Sequence, residues 1–136
     1  MEGEADGPRP PRRTVLVADP SPENADSLAL ILAECGYRVR TAGTAAEALA
    51  AAVGEPPDVL ITEALFPDAD GFALVEQVAA ATPERPLFVL LTGRVVPAES
   101  VRRARFDAHF LKPADPGVLI DVLMAHASRR HAGPPK

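Results

Sequence analysis

The chain is predicted to form one α/β domain, a doubly wound parallel sheet of five strands with helices on both faces. Three observations predict it. Short, continuous apolar runs alternate with helical patterns along most of the sequence, as consecutive βα units require. Most of those runs lack the apolar–polar alternation of a half-exposed strand, so they belong to strands covered on both sides. Finally, Asp19, Glu63, Thr92 and Lys112 sit at or just past the ends of four of the runs. In open parallel sheets, ligands and chemistry gather at the carboxyl ends of the strands, where the loops diverge.

Taken in order, Val15-Leu16-Val17-Ala18 is the first strand. Ser21 then offers a capping hydroxyl, Pro22 suits the first helical position and Glu23 favours the positive end of the helix dipole. Leu28, Ile31, Leu32 and Cys35 follow at helical spacing, and Gly36 is a natural stop. On that stripe Cys35 is expected to be a small buried hydrophobe. Tyr37-Arg38-Val39-Arg40-Thr41 alternates apolar and basic residues, the mark of an edge strand with one wet face. Thr44 caps a second helix through about Val53, with Glu47 at capping-box spacing.

Val59-Leu60-Ile61-Thr62 runs into Glu63 as the third strand. The loop Pro67-Asp68-Ala69-Asp70-Gly71 leads to a helix bearing Phe72, Leu74, Val75 and Val78. Leu87-Phe88-Val89-Leu90-Leu91 is the fourth strand, ending in Thr92-Gly93, and a short helix spans about Ala98 to Arg105. Ala108-His109-Phe110-Leu111 is the fifth strand, closed by Lys112-Pro113, and Pro116 opens a last helix with Leu119, Val122 and Leu123. Short connections and right-handed crossovers place helices on both faces.

Composition narrows the functional classes. With 136 residues, 47% of them hydrophobic, there is material for one domain with a real core. No Trp and one Tyr make that core aliphatic. A formal charge of -5 argues against a dedicated nucleic-acid binder. A single cysteine excludes an internal disulfide framework and fits a reducing compartment. No apolar run approaches the ~18 residues that span a bilayer. The Pro- and Arg-rich ends, 1–13 and 128–136, lack periodicity and are expected to be flexible tails around a domain at 14–127. The expectation is a cytoplasmic protein with no nucleic-acid or membrane partner.

Four segments together resemble the receiver domain of bacterial response regulators, across about residues 14–127: the first strand with Asp19-Pro20-Ser21-Pro22-Glu23-Asn24, the Pro67–Gly71 loop, Leu91-Thr92-Gly93, and Phe106-Asp107-Ala108-His109-Phe110-Leu111-Lys112-Pro113. The resemblance implies a flavodoxin-like sandwich with sheet order 2-1-3-4-5 and a cis peptide before Pro113. It also implies phosphoryl transfer from a kinase histidine to an aspartate after the third strand. In the family two adjacent acids after the first strand help hold Mg²⁺, a lysine contacts the phosphoryl group, and a Thr or Ser senses it. Asp19 matches the first acid, while Thr92 and Lys112 match their roles. His109 stands at the family's switch position, and is equally readable as a partly exposed strand histidine.

Two positions depart from the pattern. Pro20 replaces the second acid and Glu63 stands where the phosphorylated Asp belongs. Losing a carboxylate should weaken Mg²⁺, which needs near-octahedral oxygen geometry, so Asp19 and Glu63 are expected to hold the metal weakly at most. Glu63 carries its carboxylate too far forward by one methylene, and about 1 Å of misplacement can cost ~100-fold in transfer. Efficient Mg²⁺-dependent phosphorylation is therefore not expected; nor is an enzymatic activity or a bound cofactor.

The expectation is a stand-alone pseudo-receiver in two-component signalling, acting by protein–protein contact, with Glu63 and Lys112 paired. A working phospho-acceptor using Glu63 and a scaffold outside phosphorelay are the alternatives. Partners expected from the resemblance are a sensor histidine kinase or another signalling protein, or a second copy. They would dock on the face made by the fourth helix, fifth strand and fifth helix. There Arg102, Arg103 and Arg105 make the surface basic, and Arg105 replaces a glycine usual in the family.

Overall fold

The computed structural model describes the backbone of residues 14–132 and side chains as far as 126. The expected tail at 1–13 lies outside the described residues, as do 133–136. Strands and helices alternate throughout: β1 (Thr14–Ala18), α1 (Pro22–Glu34), β2 (Arg38–Ala42), α2 (Ala45–Gly54), β3 (Val59–Thr62), α3 (Gly71–Ala81), β4 (Leu87–Thr92), α4 (Ala98–Ala104), β5 (Ala108–Leu111) and α5 (Pro116–Ala132). All strands are parallel, in the order β2-β1-β3-β4-β5. The basic–apolar β2 lies at one edge, as its alternation predicts. Helix α5 continues through Ala132, past the boundary expected at 127, because nothing in Ser128-Arg129-Arg130-His131 breaks a helix once it is running.

The pleat of the strands divides the core. Leu16, Leu60 and Phe88 point to one side and pack on Ala48, Ala52, Leu74, Val75 and Val78 of α2 and α3. Val15, Val17, Ile61 and Val89 point to the other, against Leu32 of α1 and Leu119 and Leu123 of α5. Successive side chains of a strand face opposite ways, so a continuous apolar run feeds both layers. The alanines of α2 let that helix approach the sheet closely.

Local signals set the helix ends. Ser21 accepts the Asn24 N–H at 3.3 Å, and Thr44 accepts the Glu47 N–H at 3.0 Å. The Glu47 carboxylate takes the Gly43 N–H instead of reaching back to Thr44. Gly36, at φ 97°, closes α1, with its N–H on the Ala33 carbonyl. That closure explains a correction. Cys35 is exposed, because the helix ends at Glu34 and the chain turns before Cys35 can reach the core. Tyr37 is buried there instead.

Helix α4 packs lightly. None of its residues is buried. On β5, Ala108 and Phe110 join the α1–α5 core, whereas His109 and Leu111 are exposed. Arg105 ends α4 in the left-handed conformation at φ 65°, the position where the resemblance expects glycine. A side chain in that conformation costs of order 1 kcal/mol, partly offset by the greater unfolded-state freedom of glycine. Arg105→Gly is therefore expected to raise stability by about 0.5 kcal/mol in urea titration.

Candidate functional site at the carboxyl ends of the strands

β1, β3, β4 and β5 all end at the same edge of the sheet, and their parallel register brings four distant residues together. Asp19 extends β1, its N–H bonded to the Ala42 carbonyl at 3.0 Å, and Glu63 extends β3, its N–H bonded to the Ala18 carbonyl at 3.0 Å. Lys112 extends β5, its N–H on the Thr92 carbonyl at 2.8 Å, and the Lys112–Pro113 peptide is cis.

The lysine ammonium bridges the two acids. Lys112 Nζ lies 2.6 Å from Asp19 Oδ2 and 3.1 Å from Glu63 Oε1. The other oxygens are also engaged: Asp19 Oδ1 accepts the Ser21 N–H at 2.8 Å and Glu63 Oε2 the Ala64 N–H at 2.6 Å. Thr92 is buried; its hydroxyl accepts the Arg94 N–H at 3.2 Å and bonds the Glu63 carboxylate. The side chains of Asp19, Glu63 and Lys112 are 9%, 12% and 22% exposed, so these charges meet with little screening by water. Asp19 thus both braces the following turn and pairs with Lys112.

Protonation follows from this geometry. Burial pushes the Glu63 pKa up, but bonds from Thr92, Ala64 and Lys112 outweigh it and leave it below 4.5. For Lys112, burial pulls the pKa down, and Asp19 and Glu63 outweigh that, holding it above 10.5. Glu63 therefore stabilises the fold above its unfolded pKa near 4.5, and this contribution is lost as pH falls through the lowered value. Lys112 contributes below 10.5, and its share is lost as pH rises through the raised value. Stability is expected to hold level between these limits with respect to this pair. Glu63→Gln should flatten the part of the acid limb that belongs to Glu63, as measured by denaturant titration across pH.

Other sequence-predicted residues lie outside the cluster. Pro20 is exposed and offers neither carboxylate nor N–H. His109 is exposed, and no described hydrogen bond joins it to the cluster. Among the described residues, no group of three or more His, Cys, Asp or Glu is placed to hold a metal. The residues present fit Mg²⁺ poorly: Pro20 supplies no side-chain oxygen, and an ammonium sits between the two carboxylates that would have to hold the metal.

Three supports were not read from the sequence. Asp68 accepts the Ala45 and Ala46 N–H groups, each at 3.0 Å, and ties the β3–α3 loop to the start of α2. Asp70 caps α3 through the Ala73 N–H at 2.7 Å. Gly71 lies directly on the Glu63 backbone. The quoted Pro67–Gly71 loop contained all three, and the Asp-x-x spacing before an apolar run was the available signal for Asp70.

Comparison with known proteins agrees with this architecture. Residues 15–124 match the family described as the response regulator receiver domain. The chain is 32% identical over 77 residues to the probable transcriptional regulatory protein TcrX of Mycobacterium tuberculosis, covering 57% of this chain and 33% of that protein. It thus spans about a third of that relative's length. It is 30% identical over 115 residues to an uncharacterized 14.6 kDa protein of Leptolyngbya boryana, covering 82% of this chain and 88% of that one. The crystal structure of a CheY-like receiver domain protein from Methanospirillum hungatei superposes with a TM-score of 0.84 at 25% identity, covering 90% of this chain and 99% of that one. Fold, strand order and family match together place the chain in the response regulator receiver domain family of two-component systems.

Proposed function

We propose that this chain is a receiver that signals by protein–protein interaction, without efficient Mg²⁺-dependent aspartyl phosphorylation. The observation that carries this reading is the Lys112 ammonium bridging Asp19 and Glu63, beside a proline in place of the second acid. Glu63 occupies the phospho-acceptor position and takes the partners, Lys112 and Thr92, that the resemblance assigns to a phosphoryl group. It carries about one charge where a phosphoryl group carries nearly two. The pair holds the domain in one state, and the partner reads that state instead of a phosphorylation cycle. The partner is a histidine kinase or another cytoplasmic signalling protein, docking on the face of α4, β5 and α5, where a second copy could also sit. The protein itself is not an enzyme.

The test is Mg²⁺ titration followed by the backbone amide signals of residues 19, 63 and 112. Wild type should show no saturation at millimolar Mg²⁺, and Pro20→Asp should restore saturable shifts. Saturation of the wild-type chain would overturn the reading.

A further inference from the structure

A groove of about 530 Å³ opens between α1 and α5, beside the ion cluster. Leu28 and Ile31 of α1, Leu91 of β4 and Leu119 of α5 form its apolar walls, and Asp19, Glu63 and Lys112 close its inner end. Its size and character, an apolar cleft with a few convergent polar groups, are those of small-molecule sites. Pro116 lines the groove, and Ile120 and Met124 follow it at one-turn intervals, continuing the apolar flank outward; Met124 is 45% exposed.

The charge at the inner end is unbalanced. Two carboxylates face one ammonium, leaving a net charge of −1 among side chains that are mostly buried. The chain segments that supply the groove's walls carry the same sign of charge. Residues 14–37 and 113–126 contain Glu23, Asp26, Glu34, Asp115 and Asp121 but no lysine or arginine. Asn24 and Ser27 line the groove, and Glu23 and Asp26 are their neighbours in sequence on α1. Each carboxylate oxygen can accept two hydrogen bonds, and each Asp19 oxygen accepts one described bond. An alkylammonium can donate to the remaining lone pairs, and it meets the Lys112 ammonium with one positive charge where a divalent metal brings two, so it faces roughly half the repulsion.

We propose that this groove binds a small organic cation, a primary ammonium on an aliphatic body, with the chain between α1 and α5 and the ammonium on Asp19. The site uses the same ion cluster as the proposed function, but its occupancy needs no phosphoryl donor and no metal. A hydrogen bond to a partly buried carboxylate is worth roughly tenfold in affinity over an uncharged head group.

The probe is n-octylamine, with n-octanol and n-octanoate as controls of equal chain length, titrated at pH 7 into the methyl-labelled full chain. Saturable shifts are expected at Leu28, Ile31, Leu91 and Leu119, with octylammonium binding about tenfold more tightly than octanol and octanoate weakest. Asp19→Asn should bring octylammonium to the level of octanol. Ile31→Trp should fill the groove and remove binding of both, with methyl signals of the α2–α3 layer unchanged as proof of folding. Equal binding of the three probes, or shifts scattered over the surface, would overturn the proposal. So would a lysine-rich amphipathic peptide shifting these methyls while octylammonium does not. Octylammonium binding that millimolar Mg²⁺ displaces would uphold the groove and count against the weak metal site of the proposed function.

Discussion

Gly71→Ala is expected to destabilise the domain by about 3 kcal/mol. The first residue of α3 packs on the end of β3, and a Cβ at position 71 would enter the van der Waals shell of the Glu63 carbonyl oxygen. It would also lie 3.3 Å from the Glu63 carbonyl carbon and from Thr62 Oγ1. Backbone cannot rotate out of the way as a side chain does, so β3 and α3 must separate. Glu63 would move with its backbone, and its pairing with Lys112 should weaken at the same time. Gly54→Ala is the control, since a Cβ there meets nothing within 4 Å and should change stability by under ~1 kcal/mol. Equal effects of the two substitutions in denaturant titration would show that close approach at Gly71 is not what matters.

Lys112→Met should be nearly as costly at neutral pH, by about 2–3 kcal/mol, because it strands two largely buried carboxylates side by side. The full penalty of a buried, uncompensated charge is discounted here for the fraction still exposed to water. The diagnostic is the response to acid. Wild type loses Glu63's contribution as pH falls through that residue's lowered pKa. Without the ammonium, protonating one carboxylate relieves the repulsion, so the gap between variant and wild type should narrow from pH 7 to pH 4. A gap independent of pH would mean that Lys112 acts through packing of its alkyl chain.

Much of the fold was legible because its signals are local. Apolar runs of strand length, Ser21 and Thr44 as caps, Gly36 as a stop and the alternation in β2 each act within a few residues. The burial of Cys35 was misjudged for a related reason. Helical spacing shows which residues share a face but not where the helix stops following the core.

The site was legible in part. Strand ends named Asp19, Glu63, Thr92 and Lys112, and the resemblance supplied the suggestion that Glu63 and Lys112 meet. The double bridge through one ammonium depends on the register of four strands, β1, β3, β4 and β5, and no short-range pattern encodes it. The same holds for Asp68 at the start of α2 and for Asp58, which accepts the Thr14 N–H at 2.9 Å from far along the chain. Arg105 shows the converse case. Its departure from glycine was plain in the sequence, while its consequence, a left-handed arginine ending α4, needed the backbone.

The central claim is that Pro20 and Glu63, on an otherwise intact receiver scaffold, remove phospho-acceptor chemistry. Intact-mass analysis after incubation with acetyl phosphate and Mg²⁺ tests it most directly, comparing this chain with a Pro20→Asp, Glu63→Asp double variant. The account predicts a gain of one phosphoryl group on the double variant and none on the wild-type chain. Phosphorylation of the wild-type chain would contradict it.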